Sequence, residues 1–486
     1  MMVILWTDAL IYLLIFAIIG LSFYLGRKPQ LKRPLQQIGN SKAGMLSLVI
    51  LLFFMMIGLL DSIHFKSNES SAKPIISVLD YWATPLRITG EKTYSAPFAT
   101  HLFNKENIVL DDGRKLWEYP RLQYGGAHLK NPETEKLTDI FLKASIGFIK
   151  GIALFAFIII LSLIPAIKKY LIVPTLPRGN SSKDAPASRD AGASQTTFPR
   201  GNVGTIITQA LMKNSTMKAV WLLVFFLISI TYMLIELSAY YHILGTDKVG
   251  EDVFYQAIKS IRTGLVIGSL TTLIMLPLAI TFGIMAGFFR GWVDDVIQYV
   301  YTTLNSIPSV LLIAASILMV QVYMANHQQE FTSLLVRADM RLLFLCIILG
   351  VTSWTGLCRL LRAETLKLRE MEYVQAAQAL GVKRSMILFR HILPNVMHIV
   401  LISVVLDFSS LVLAEAVLSY INIGVDPTTY SWGNMINGAR LEMAREPVVW
   451  WSLSASFVFM FTLVLAANLF ADSVRDAFDP RRAQLN

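Results

Sequence analysis

The sequence predicts an all-α polytopic membrane protein, a six-helix core preceded by three further spans, and three observations carry that prediction. Charged residues make up 16% of the 486-residue chain and hydrophobic residues 54%, where soluble proteins carry about 25% charged residues. Mean hydropathy is +0.54. Several apolar runs exceed about 18 residues, the length that crosses a bilayer as a helix. The basic residues of this +10 chain gather in the loops between those runs, so the charge sets orientation in the membrane and is no nucleic-acid footprint. The same figures exclude disordered, collagen-like and disulfide-scaffold chains.

Nine spans are expected, at 4–26, 44–60, 146–167, 219–243, 262–289, 296–324, 341–361, 395–420 and 448–471. The first has no Lys or Arg ahead of it and is followed by Arg27, Lys28, Lys32, Arg33 and Lys42. A secretory signal has its basic residues in front, so this reads as a retained helix with its N-terminus outside. The purely basic stretch 25–43 and the basic stretches 168–218 and 362–394 belong inside, as does the tail with Arg475, Arg481 and Arg482. The mixed-sign stretch 62–143 belongs outside. An odd number of spans with the N-terminus out and the C-terminus in satisfies every loop.

Residues 174–205 are rich in Pro, Ser, Gly, Ala and Thr and lack apolar periodicity, which reads as a flexible cytoplasmic linker. It divides an N-terminal extension, 1–173, from a core, 206–486. Within the extension, 62–143 is polar, carries turn signals at Asp112-Gly113 and Gly125-Gly126, and holds aromatic residues including Tyr81, Trp82, Trp117 and Tyr119. Two roles are open to it, contact with a soluble partner or packing on the core, and packing is favoured. Cys346 and Cys358 fall in one apolar run, about 18 Å apart on one helix and so too far to bridge.

The most informative stretch is 363–394. Residues 363–380 are strong helix formers, Gly381 supplies a stop, a second short helix follows over 383–391, and Pro394 opens the next span. Two short helices at a bend between two spans suit docking into a groove on a soluble partner. On physical grounds alone an ordinary helical connector is the simpler reading.

The residues of this stretch change the weighting. Tyr373-Val374-Gln375-Ala376-Ala377-Gln378-Ala379-Leu380-Gly381 and Arg390-His391-Ile392-Leu393-Pro394-Asn395 resemble the EAA loop of ABC importer permeases, in particular the C-type subunit of the dipeptide/oligopeptide permease family. Gln375 stands where that pattern has its eponymous glutamate. Leu244-Gly245-Thr246-Asp247-Lys248-Val249-Gly250-Glu251-Asp252 is similar to a family stretch before the second core span, with Glu251 in place of the usual Arg. Ala414-Glu415-Ala416-Val417-Leu418-Ser419-Tyr420, Ser431-Trp432-Gly433-Asn434-Met435 and Val474-Arg475-Asp476-Ala477-Phe478-Asp479-Pro480-Arg481 follow in the family's order. The resemblance covers about 206–486 and leaves 1–205 outside it.

The resemblance implies one of two pore-forming subunits of an ATP-driven importer for short peptides in the bacterial inner membrane. The implied partners are a second permease subunit, two cytoplasmic ABC ATPases and a periplasmic binding protein. Coupling to the ATPases would run through Tyr373, Gln375, Ala376, Ala377, Ala379, Leu380, Gly381, Leu393 and Pro394. The sequence has no G-x-x-x-x-G-K-[ST] phosphate loop, so no cofactor is expected in this chain and ATP-Mg belongs on the partner ATPases. Nickel complexes, glutathione and peptide antibiotics are alternative substrates within the family. The reading from another class is an autonomous secondary transporter or channel; a third treats 1–205 as a sensory or assembly module.

No catalytic residue and no metal site are expected: HExxH, GxSxG and CxxC are absent and the seven histidines lack ligand spacing. Gly283 and Gly287 permit close helix packing, within the chain or against another subunit. Glu236, Asp407 and Glu415 lie inside apolar spans, where acids are costly. Asp407 and Glu415 are the candidate pore-lining residues, a polar lining for a peptide's amino end; an interhelical hydrogen bond is the favoured alternative.

Overall fold

The computed structural model describes residues 2–26, 29–66, 75–109, 115–171, 215–327, 329 and 333–478. The linker 174–205, the Asp112-Gly113 turn and the tail from Asp479 lie outside the described residues. Among the described residues, seven helices are long and apolar enough to cross a membrane: Lys42–Ser62, Pro132–Ser162, Ser215–Ser238, Val253–Phe289, Ser309–Asn326, Arg384–Tyr420 and Trp451–Phe478. The expected first span is a 21-residue helix, α1 (Trp6–Gly26). The expected span 341–361 differs more. It is replaced by Leu334–Ser353 followed by Thr355–Arg369, and the first of these carries Arg337, Asp339 and Arg341 within two turns. The expected span 296–324 is also broken, into Trp292–Ser306 and Ser309–Asn326. Pro308 forces the break: the residue before a proline is driven out of the helical region, and Ile307 is extended at ψ 129°.

The chain forms two compact units, Phe141–Glu236 and the combination of Met1–Ile140 with Leu237–Asn486. In the smaller unit, α6 (Pro132–Leu171, from Phe141 on) packs antiparallel to α7 (Ser215–Ser238). Glycines set the approach: a Cβ on Gly147 would stand 2.7 Å from Met233 Cα, and one on Gly151 2.7 Å from Ser229 Cα. One turn further on, Phe155 meets Phe225 and Trp221 edge-on at 5.1 and 6.0 Å. Glu236, suspect as an intramembrane acid, is paired 2.6 Å from Lys150.

The larger unit is organised around α8 (Val253–Phe289), 37 residues and so about 55 Å long. Around it lie α1, α2 (Pro29–Asn40), α3 (Lys42–Ser62), α9 (Trp292–Ser306), α10 (Ser309–Asn326), α11 (Leu334–Ser353), α12 (Thr355–Arg369), α15 (Leu393–Tyr420), α16 (Trp432–Glu442) and α17 (Trp451–Phe478). Val253, Ala257, Ile261, Val266, Ile267 and Ala279 of α8 are wholly buried. Small residues bring partners close: Gly268 receives the Phe408 ring and Gly264 the Trp432 ring, and the Trp432 indole N–H donates to the Ala257 carbonyl at 3.1 Å. Gly283 and Gly287 seat α12, because a Cβ at either would fall 2.9 Å from Cys358 O or 2.8 Å from Arg362 O. Their role as a packing surface is therefore filled within the chain.

The described residues between 62 and 140 of this unit form a largely folded layer. Strand β1 (Met2–Val3) pairs antiparallel with β2 (His64–Lys66), and β2 with β3 (Ile75–Ser77). Then follow α4 (Val78–Trp82), entered through a Ser77/Asp80 capping box, α5 (Thr84–Ile88), and the hairpin β4 (Glu106–Val109) with β5 (Lys115–Glu118). This layer packs on the loop 239–252, in agreement with the packing role. Glu91 N donates to Gly250 O at 2.9 Å, Phe98 N to His242 O at 2.9 Å and Gly126 N to Tyr240 O at 2.9 Å. Gly250 has φ +78° and Gly245 φ +69°, and a Cβ on Gly250 would lie 1.7 Å from Glu91 O. Both glycines belong to the Leu244–Asp252 motif, and the extension closes directly over them.

Candidate functional site

Two regions bear on function, one at each end of α8. At its N-terminal end, charges from the extension and from the core interlock. Arg262 Nη2 lies 2.7 Å from Asp8 Oδ1, and Asp8 Oδ2 lies 3.0 Å from His64 Nδ1. The Thr7 hydroxyl donates to Asp339 of α11, which also faces Arg262 at 3.9 Å. Lys259 Nζ sits 2.5 Å from Asp61 and 2.9 Å from Asp80, and the Tyr255 hydroxyl donates to Asp80 at 2.6 Å. Charges buried this deeply are tolerable only when matched.

Helix α4 and the adjoining loops show the same logic. Burial pushes the Asp80 carboxyl up, but Lys259 and the Ser77 backbone N–H outweigh it and hold Asp80 down at about 2. Burial likewise opposes ionisation of Glu91, yet His242 and the backbone N–H groups of Gly125, Gln123 and Tyr124 hold it at about 2. Burial would discharge His242, but Asp252 at 2.7 Å and Glu91 at 3.5 Å raise it to about 9. A cavity of about 820 Å³ borders this network, lined among others by Asp61, Asp80, Lys259, Arg262 and Asp339.

At the C-terminal end of α8 sits the expected coupling segment, 363–394. It comprises the end of α12, then α13 (Glu372–Ala379), α14 (Arg384–Ile387), one wide turn Leu388–Ile392, and the start of α15. The stop after α13 is a Schellman turn: Val382 N donates to Ala377 O at 3.1 Å and Gly381 N to Gln378 O at 3.0 Å, with Gly381 at φ +72°. Val374 and Ala377 face inward, against a cluster that includes Leu368, Ile387, Ile392 and Phe288. Outward stand Leu380 (83% exposed), Phe389, Met386, Met371 and Tyr373.

The expected coupling residues therefore divide. Tyr373, Gln375, Ala376, Ala379, Leu380, Gly381 and Pro394 are exposed, Leu393 is half-buried and Ala377 is buried. The Tyr373 hydroxyl accepts from Asn395 Nδ2 at 3.0 Å, and the Gln375 amide donates to Glu370 O at 3.2 Å. Sequence reasoning missed Met386 and Phe389, whose signal was three-residue spacing around a buried Ile387. The segment is braced from behind by Arg362 on Asp294 at 2.6 and 2.7 Å, by Arg369 on the Phe288 carbonyl at 3.0 Å and by Arg290 on Glu370 at 2.6 Å.

The two candidate lining acids also part company. Glu415 is 2% exposed and accepts from the Ser419 hydroxyl at 2.7 Å, so it is enclosed. Asp407 is half-buried and borders a cleft of about 560 Å³ with Arg359, Ser403 and Gly356. No group of three or more His, Cys, Asp or Glu among the described residues is arranged to hold a metal ion.

The braced, glycine-stopped pair of short helices lies within the stretch of the chain that matches a known family. The family described as the binding-protein-dependent transport system inner membrane component matches residues 279–484. The dipeptide transport system permease protein of Lactococcus lactis is 30% identical over 243 residues, 50% of this chain and 65% of that protein. The glutathione transport system permease protein of Pectobacterium atrosepticum is 30% identical over 240 residues, 49% of this chain and 73% of that protein. A putative peptide permease protein of Brucella suis is 32% identical over 247 residues, 50% of this chain and 74% of that protein. The chain belongs to this family of binding-protein-dependent transport system inner membrane components. About half of the chain lies outside each of these alignments.

Proposed function

We propose that this chain is one of two pore-forming subunits of an ATP-driven importer of short peptides in the bacterial inner membrane, with its N-terminus periplasmic and its C-terminus cytoplasmic. A second permease subunit completes the pore, two cytoplasmic ATPases carry ATP-Mg, and a periplasmic binding protein delivers the peptide. The observation that supports this reading best is the outward apolar face of the 363–394 segment. Leu380, Met386 and Phe389 are exposed on short helices whose other face is anchored in the bundle. An anchored helix pair with an apolar outer face suits insertion into a groove on a soluble partner, and α12, α13 and α8 pack closely enough for movement there to reach the spans. ATP binding and hydrolysis on the partners would displace this segment and switch the pore between inward- and outward-facing states.

Affinity purification of the tagged chain from gently solubilised membranes, with mass spectrometry of its companions, tests this. Recovery of a second permease and one or two phosphate-loop ATPases is the expected result, with the ATPases alone lost on Leu380→Asp/Phe389→Asp. Recovery of the chain alone, under conditions that preserve a known ABC complex, overturns it in favour of an autonomous transporter.

A further inference from the structure

Four acids in the long helices set the contrast for a fifth. Glu236 has Lys150, Glu415 has Ser419, Asp61 has Lys259, and Asp339 has Thr7. Asp407, near the middle of α15, has no hydrogen-bond or ion-pair partner for its carboxylate among the described residues. The side chain is not hidden from space either, for it borders the cleft between α12 and α15. Ionisable groups at such depth face a water-filled path or a bound partner, because leaving them against lipid or apolar protein is costly.

The same cleft holds the opposite charge. Arg359, on the first turns of α12, is exposed and also makes no ion pair among the described residues. The two side chains share the cleft walls yet stand beyond ion-pair distance of one another. Ser353 and Ser403 add hydroxyls, and Gly356 keeps one wall low, with open space where its Cβ would be. A volume of about 560 Å³ falls in the range of small-molecule sites, roughly 300–1,000 Å³. Two unpaired charges of opposite sign, held apart on one small cleft, match a small zwitterion better than they match any single ion.

We propose that this cleft is a transit subsite for a short zwitterionic peptide, with Asp407 receiving the α-ammonium group and Arg359 the terminal carboxylate. This rests on the peptide-importer reading and deepens it: it names the two groups that read the peptide's ends inside the membrane. Arg359 suits the carboxylate because its guanidinium can donate two parallel hydrogen bonds. The competing occupant of the Asp407 charge is a cation on the second permease subunit.

The test uses the full complex with its binding protein, reconstituted in vesicles, and radiolabelled alanyl-alanine as the probe. Asp407→Asn is expected to lower alanyl-alanine imported per ATP hydrolysed by about tenfold, the loss of one charge-assisted contact, while the second permease still co-purifies. Arg359→Gln is expected to act in the same direction. The exchanged pair Asp407→Arg/Arg359→Asp is expected to recover much of the loss, since the peptide can bind reversed. Unchanged import per ATP in both single variants overturns the proposal. Loss of the second permease on Asp407→Asn also overturns it, and assigns Asp407 to the subunit interface. A wild-type complex that imports no peptide while hydrolysing ATP defeats the parent reading itself, which separates the two failures.

Discussion

The two ends of α8 are built on opposite principles. At the N-terminal end, Lys259 and Arg262 are clamped by Asp61, Asp80 and Asp8, all from the extension. At the C-terminal end, Gly283 and Gly287 let α12 lie directly on the helix, and beyond it an apolar surface is left open. Matched buried charge is intolerant of displacement, because separating the partners exposes each to an unfavourable medium. Close-packed small residues resist compression yet carry no such penalty for concerted sliding. One end is therefore the fixed point of the long helix and the other is the end through which force can enter.

Breaking the fixed end should have the largest effect. Lys259→Met leaves Asp61 and Asp80 facing each other without a counter-charge, and a loss of about 3–5 kcal/mol is expected. Thermal unfolding of the purified chain in detergent would show it, and Asp61→Asn in the same background should restore part of the loss. A Tm unmoved by Lys259→Met would mean that the clamp carries no stability.

Overfilling the other end comes next. Gly287→Val drives methyl groups into Thr365 and the Arg362 carbonyl, and about 1–3 kcal/mol is the expected cost, with loss of coupled transport. If Gly287→Val melts and transports like the parent protein, α12 is not seated on α8 as described.

Acidity and alkalinity sharpen the comparison, because the titrating groups lie in α4 and the loops next to the fixed end. His242 is raised to about 9 in the folded chain, so its contribution is complete below its ordinary value of about 6.5 and is lost as pH climbs through 9. Glu91 and Asp80 are both depressed to about 2. Their contributions are present above the ordinary carboxylate range and vanish as pH falls toward 2. Protease cleavage within 62–143 should therefore accelerate on the alkaline side near pH 9, and His242→Gln should abolish that step. A step unchanged in the variant would assign it to another group.

The smallest effect on stability is expected from Gly381→Ala. Its φ of +72° disfavours a side chain, but a Cβ there meets open space, so about 1 kcal/mol is at stake, and a shift in Tm of more than a few degrees would contradict it. Gly381→Pro is more severe, since proline cannot reach a positive φ, and should unseat the outward face while leaving the apolar helices folded by circular dichroism.

The parts of this structure legible in the sequence are those with a local cause. Apolar runs gave the helices, and the run of helix formers ending at Gly381 gave α13 and its turn. Pro308 announced the break between α9 and α10, but the apolar run continues across it and hides the signal. Arg337, Asp339 and Arg341 had the same standing in α11. Ala377 reads in the sequence as one of several equivalent alanines; only the packing of Ile387 and Leu368 turns it inward, so a charge placed there would test the fold before any partner. The clamp was illegible for a different reason. Asp8 meets Arg262 across 254 residues and Asp80 meets Tyr255 across 175, and no periodicity links them.

The clamp also bears on the order in which the chain enters a bilayer. Asp8, Asp61 and Asp80 leave the ribosome well before Lys259 and Arg262. When α8 reaches the translocon, two cations that would each resist insertion find their counter-charges already delivered on the same side. The extension thus carries, ahead of α8 in the chain, the carboxylates that neutralise its two buried cations.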